Sequence, residues 1–525
     1  MPFPFLPRPL AALAAAAALA IPVAGCGGGG SSSGGDAGAD PAAALPPAAP
    51  LYVEAQVRPD GDLAASVESV GRKLLNGRDP GQELVRALDD QLHEEGANYQ
   101  QDIEPWLGDR VGVAILSLGS GKDDTDGVVA LASKDDDRAQ AYLDREKDAT
   151  KREYRGVQYL LKAKDDEAAA VLDGRVLIGS ERGVKAAIDA TKGDSLAESK
   201  QFQEARDAVS TDGLGFLYVD PRRAIEGVSA QGSSASDIQG QQAVKGLLAG
   251  LGLRAVAASI DVHDNAIVGD MAALGAKSGD AHGDSAAAAA AAPDSAWLSV
   301  GVGDVGGTIE RALDQWGGSG ATAGGVDPQA LLQQLKAGLG LDVQKDFLDW
   351  MGDATIFVEG TNPSTLGGAL VVQSKDPAAS KRAIAELRSL LPRFGAAAKP
   401  LPGLPSGATG LLLPGSSGLP GGVQIAAKGD VFVVAVGQGA LADALEPKGT
   451  VGSTDAFKTA AGLLDGAKPS FFLDTPKAVR LVEGLAAGDP DFAKAKPTLD
   501  AFGPAAAGGT SQDGVSHVKA GVAVP

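Results

Sequence analysis

An α+β fold written twice in tandem, each copy a largely antiparallel sheet covered by helices, is what this chain predicts from three observations. Short apolar runs meet at two-residue turn signals, as at 168–172, Asp173-Gly174 and 175–178, the pattern of antiparallel hairpins. Between such runs, Leu63, Val67, Val70 and Leu74 recur at helical spacing. Finally, a set of anchors appears twice in the same order. Trp106-Leu107-Gly108-Asp109 returns as Trp350-Met351-Gly352-Asp353, 244 positions on (350 − 106 = 244). Ser133-Lys134-Asp135 returns as Ser374-Lys375-Asp376, and Leu217-Tyr218-Val219-Asp220 as Phe471-Phe472-Leu473-Asp474. Two long copies make a domain pair rather than a solenoid.

The elements follow in order. Residues 50–57 alternate as a strand, matched by 297–302. Helical spacing follows each, through Leu63 to Leu74 in the first copy and Ile309, Leu313 and Trp316 in the second. A further helix carries Leu84, Leu88 and Leu92, matched by Leu331, Leu335 and Leu339 behind the start signal Asp327-Pro328. Residues 111–118 and 127–132 form a strand pair, and 137–147 a helix with a charged outer face. The second copy writes its hairpin as 423–427, Gly429-Asp430 and 431–436. Strands 255–262 and 266–272 close the first copy, and Phe202 and Phe457 sit on matching helices. Hairpins imply an antiparallel sheet, and clustered helices are expected to cover one of its faces.

The N-terminus reads as an export signal. Arg8 precedes the apolar run 10–23, which is shorter than the roughly 20 residues of a membrane-spanning helix. Val23-Ala24-Gly25-Cys26 follows, and Cys26 is the only cysteine. Residues 1–25 are expected to be a signal peptide, with Cys26 the lipidated first residue of the mature chain. Residues 26–49 read as a Gly/Ser/Ala/Pro tether, 50–277 as the first domain, 278–292 as an Ala-rich linker and 293–525 as the second domain. Two or more acyl chains on Cys26 hold a membrane stably where one does not. A net charge of −21 argues against nucleic acid and against anionic lipid as surface partners. With aromatics at 4%, the cores must be built from Ala, Val and Leu.

The lipobox, the Gly-rich tether, the Trp-Leu-Gly-Asp motif ahead of a strand and the doubled layout resemble the bacterial, actinobacterial-type family called domain of unknown function 3352. The resemblance covers the chain from Pro46 to its end. It implies an exported envelope protein and supplies no catalytic residue.

Residue constellations for chemistry are weak. Gly301-Val302-Gly303-Asp304-Val305-Gly306 has the letters of a dinucleotide fingerprint, but the first copy holds Ala55, Val57 and Asp60 in those places. Asp123, Asp124, Asp126, Asp135, Asp136, Asp137, Asp165, Asp166 and Glu167 lack the ligand spacing of a calcium loop and read as solvated or capping groups. His93, His263, His282 and His517 show no zinc spacing. Gly179-Ser180-Glu181-Arg182-Gly183 reads as a strand end entering a helix, and Ser516-His517-Val518-Lys519 as a closing strand with Ser516 and Lys519 on opposite faces. No catalytic, metal or cofactor residue is expected. Trp106 and Trp350 are either helix-end rings packed on the sheet, with Gly supplying the terminal turn, or rings facing a partner. The functional expectation is a non-enzymatic envelope lipoprotein that binds or scaffolds an envelope component. The alternatives are a carrier of lipid or another apolar ligand and, more remotely, an uncharacterised hydrolase.

Overall fold

Apolar residues on both sides of a strand require a core on both sides of the sheet, and this decides the architecture. The computed structural model describes residues 39–93, 97–117, 126–210, 213–229, 252–263, 265–275, 283–318, 328–415, 421–437, 439–512 and 514–525. Two units divide the chain, one spanning 1–277 with 511–517 and the other 278–510 with 518–525.

The first unit contains β1 (Leu51–Gln56), β2 (Leu107–Ser117), β3 (Asp126–Ser133), β4 (Thr150–Tyr154), β5 (Val157–Lys162), β6 (Glu167–Leu172), β7 (Arg175–Ser180), β8 (Gly215–Val219), β9 (Ala255–His263) and β10 (Ala266–Leu274). They pair antiparallel in the order β10-β9-β8-β1-β2-β3-β7-β6-β5-β4. The second unit contains β11 (Ala296–Val302), β12 (Met351–Glu359), β13 (Gly367–Ser374), β14 (Lys399–Pro400), β15 (Thr409–Leu413), β16 (Val423–Lys428), β17 (Val431–Val436), β18 (Phe471–Leu473), and β19 (Ala505–Gln512) and β20 (Val515–Ala523) apart from their residues within 511–517. Its order is β20-β19-β18-β11-β12-β13-β17-β16-β15-β14, the first order with every number raised by ten.

Successive side chains of a strand point to opposite faces. On β3, Val128 and Ala130 join a core with Tyr52, Phe202 and Tyr218, while Val129 and Leu131 join another with Leu92, Trp106 and Val176. On β17, Val433 packs with Phe357 and Phe472, and Phe432 with Trp350 and Val372. Helices therefore lie on both faces, not one as the hairpin pattern suggests. Helix Glu181–Thr191 covers one side of the first sheet with Val184 and Ile188, and helix Asp136–Leu143 the other with Ala139 and Leu143. The latter helix stops at Leu143, four residues before its expected end. In the second unit, helix Ala440–Leu445 and helix Pro377–Leu390 take the two sides.

The β6–β7 hairpin uses the expected turn. Asp173 and Gly174 both have positive φ, 50° and 72°, so the β6–β7 turn twists with its strands. The strand pair β4–β5 turns through Arg155 and Gly156, at 49° and 77°.

Two segments expected outside the domains belong to them. Within the expected tether 26–49, Asp40 caps a short 3₁₀ turn, Pro41–Ala44, by accepting from Ala42 N at 3.0 Å. Ala42, Ala44, Leu45 and Ala49 are buried in the first core, and Leu196 N donates to the Leu45 carbonyl at 2.7 Å. Within the expected linker 278–292, Asp284 caps helix Ser285–Ala290 through Ala287 N at 2.9 Å. Ala288, Ala289 and Ala292 are buried. The hydroxyls of Ser299 and Thr355 donate to the Ala289 and Ala288 carbonyls, both at 2.6 Å. The alanines are small enough to let this helix lie directly against the strands. Cys26 and the segment 1–25 fall outside the described residues. Among the described residues, no helix is long and apolar enough to cross a membrane.

Candidate functional site

The repeated anchors are the parts of one corner, built once in each unit. A single π turn, Tyr99–Ile103 or Gln344–Leu348, delivers the tryptophan to the sheet. The Trp106 indole N–H donates to the Asp102 carbonyl at 2.7 Å, and that of Trp350 to the Asp346 carbonyl at 2.9 Å. The side chains of the same two aspartates brace the turn, accepting from Asn98 N at 2.8 Å and Asp342 N at 2.9 Å. Each tryptophan carbonyl accepts the next anchor's backbone N–H, Lys134 or Lys375, at 2.8 Å. Ser133 N and Ser374 N then donate to Gly174 and Asp430, the turn residues of the hairpins. Asp135 and Asp376 cap the following helices.

Both indole rings are buried, within the cores of their own units. The glycine after each does not end a helix. Gly108 and Gly352 lie in β2 and β12, and a Cβ there would meet Ala132 Cβ at 2.9 Å or the Gln373 carbonyl at 2.8 Å. Close strand approach at a shift of register explains the glycine.

The two corners differ in what surrounds the ring. In the first unit the Tyr142 ring lies 5.9 Å from Trp106, and the Arg145 guanidinium stacks 5.7 Å above Tyr142. Arg145 also forms a hydrogen-bonded ion pair with Asp102. Burial pulls the Asp102 carboxyl upward, but the Arg145 hydrogen bond, Asn98 N–H and the Arg145 charge together hold it below the usual range. Counting from the capping aspartates, Tyr142 corresponds to Ala383 (142 − 135 = 383 − 376 = 7) and Arg145 to Glu386 (145 − 135 = 386 − 376 = 10). The buried pairs Ala139 and Ser380, and Leu143 and Ile384, keep the same spacing.

A cleft of about 390 Å³ opens in the second unit, lined by Lys345, Asp346, Asp349, Trp350, Lys375, Asp376, Ala379, Arg382 and Glu386. Lys375 Nζ is held 2.6 Å from Asp304, Asp349 accepts from Gln344 Nε2 at 3.0 Å, and Arg382 lies 3.7 Å from Asp376. The Glu386 Oε2 atom is buried without a hydrogen-bond partner among the described residues. Burial first, then the Asp346 charge, raises the Glu386 carboxyl above its usual value against the pull of Arg382.

The remaining candidates occupy separate structural positions. The fingerprint-like 301–306 is a packed strand-to-helix turn: a Cβ at Gly301 would strike the Ser285 carbonyl, and one at Gly306 the Leu348 carbonyl. Asp126 is buried between Ser117, Ser180 and Arg182, at 2.9, 3.2 and 2.8 Å. Asp136 accepts from Gly174 N at 3.0 Å. Asp137 lies in the first turn of the helix that Asp135 caps, Asp165 N donates to the Lys162 carbonyl, Asp166 takes a positive φ of 48°, and Glu167 is buried. Ser180 caps helix Glu181–Thr191 through Gly183 N at 3.0 Å. His263 is exposed near Asp261, His93 ends a helix, and His517 lies in β20. Ser516 Oγ meets Ser511 Oγ at 3.1 Å, whereas Lys519 reaches Asp465 at 3.0 Å. Asp123, Asp124 and His282 fall outside the described residues. Among those described, no group of three or more His, Cys, Asp or Glu side chains could hold a metal ion.

The family model described as protein of unknown function, DUF3352, matches residues 11–520. No curated protein matches the chain. Crystal form I of TP0453 is 11% identical, with a TM-score of 0.25, covering 46% of this chain and 82% of that one. Crystal form IV of TP0453 is 10% identical, with a TM-score of 0.25, covering 45% and 80%.

Proposed function

We propose a lipid-anchored, non-enzymatic binding or scaffolding role at the outer face of the plasma membrane for this chain, which belongs to the family of domain of unknown function 3352. The observation that carries the reading is the short distance in sequence between the lone cysteine and the first core. Cys26 ends a lipobox-like run, and Asp40, 14 residues later (40 − 26 = 14), caps the first described turn, whose residues pack in the first core. At about 3.3–3.6 Å per residue, such a connection spans at most roughly 50 Å. Acylated at Cys26, the first unit stays within that distance of the bilayer. A signal followed by a thiol at a small-residue cleavage site supports export. The net charge of −21 supports attachment through acyl chains rather than through anionic headgroups.

Replacing Cys26 tests this directly. Cys26→Ala should leave the membrane fraction and retain the parent's melting temperature, since the described core of the first unit is built from Ala42 onward. Fractionation showing the variant in the membrane at the parental level would overturn the anchoring.

A further inference from the structure

The same corner, built twice, holds an internal arginine–aspartate ion pair in one unit and has a second carboxylate in place of that arginine in the other. In the first, Arg145 pairs with Asp102 and packs over Tyr142, which itself packs against Trp106. In the second, Asp346 keeps the place of Asp102, but at the count from the capping aspartate where the first unit has Arg145, just past its helix, the second has Glu386, inside helix Pro377–Leu390, and the small Ala383 takes the count of Tyr142. The large ring and the guanidinium are thus both replaced, and a cleft of about 390 Å³ lies at this corner. Its size falls within the range of small-molecule sites. One Glu386 oxygen faces no hydrogen-bond donor of the described chain. The Asp346 charge adds to that cost and Arg382 offsets part of it, and a half-buried carboxyl with one unpaired oxygen is stabilised by a cation that also donates hydrogen bonds.

We propose that this cleft binds a small ligand with one cationic nitrogen group, a guanidinium or alkylammonium, seated between Asp346 and Glu386 where the first unit places Arg145. This rests on the binding role proposed above and names its ligand class. The other lining cations set the limit on charge. Lys345, Lys375 and Arg382 repel a second positive group, so a singly charged ligand is preferred to a polyamine.

The test is calorimetric titration of the full acylated chain in detergent with butylguanidinium, butylammonium and, as an anionic comparison, butyrate. The cations should bind saturably and butyrate should not. Glu386→Gln should weaken cation binding at least about tenfold, the loss of roughly one charged hydrogen bond. Glu386→Arg should abolish it by restoring the internal ion pair; Glu386→Gln carries the test if that variant fails to fold. Absence of saturable binding by both cations, equal binding of butyrate, or parental affinity in Glu386→Gln would overturn the proposal. Detergent removes membrane placement from the measurement. A negative titration beside a Cys26→Ala variant that leaves the membrane rejects the ligand class and leaves the anchoring intact.

Discussion

Trp106 and Trp350 show how a single side chain can do the same work twice: each indole fills a core and ties its N–H to the π turn that delivers it. Truncating a buried ring to Ala typically costs about 3–5 kcal/mol. Trp106→Ala should therefore lower the melting temperature of the first unit and Trp350→Ala that of the second, as separate shifts in a calorimetric scan. A pH effect belongs at this scale too. The hydrogen bond from Lys375 holds the Asp304 carboxyl below its usual range; burial opposes this, and the Lys375 charge, Gly307 N–H and Arg311 reinforce it. A carboxyl with a depressed folded-state pKa stabilises fully above its unfolded value, about 3.9, and loses that contribution as pH falls through the folded value. Lys375→Met should consequently destabilise the second unit at pH 7 but much less near pH 2. Urea unfolding followed by tryptophan fluorescence reads this, because Trp297, Trp316 and Trp350 all lie in that half.

Among the elements, the segments before β1 and β11 carry more weight than their composition suggests. Leu45 is fully buried, and burying a leucine contributes about 1.5–3 kcal/mol. A chain lacking residues 40–49 should unfold its first unit at least about 2 kcal/mol more easily, by denaturant titration, than one beginning at Ala39. The equivalence of these segments was legible, since Asp40 and Asp284 stand 244 apart, as Trp106 and Trp350 do. Runs of Ala and Pro concealed it, because low complexity resembles a linker until a neighbouring strand shows why only small side chains fit. Turn residues such as Asp173-Gly174 announced the antiparallel hairpins. The second helical layer was harder to see: an unbroken apolar run like 128–132 marks burial on both faces, not alternation against one. Strand β4 escaped because Thr150, Lys151, Arg152 and Glu153 are exposed and leave no apolar period to detect. The cleft was hidden for a different reason. Arg145 and Glu386 have opposite charge, so no shared letter marks their equivalence; only their equal distance from the capping aspartates does.

For the molecule as a whole, the position of the boundary has a measurable effect. A protease site inserted within 276–282 leaves helix Ser285–Ala290 joined to the second unit, whereas one inserted after Ala292 severs that helix from β11. After cleavage, the second unit should keep its melting temperature in the first case and lose stability in the second, by differential scanning calorimetry. The repeated strand order also bears on synthesis. Leu51 of β1 pairs with Val219 of β8, 168 residues away (219 − 51 = 168), and Leu298 of β11 with Leu473 of β18, 175 away (473 − 298 = 175). Closing such distant pairs is slow, and an edge that waits is open to the wrong partner. Emerging from its N-terminal end, the chain separates the waiting periods: β10 ends at residue 274, so strands β1 to β10 all exist before β11 begins at residue 296. Dilution from denaturant removes that schedule, and both halves then seek strands of the same order at once. Vectorial synthesis thus keeps apart two copies that would otherwise compete for each other's strands.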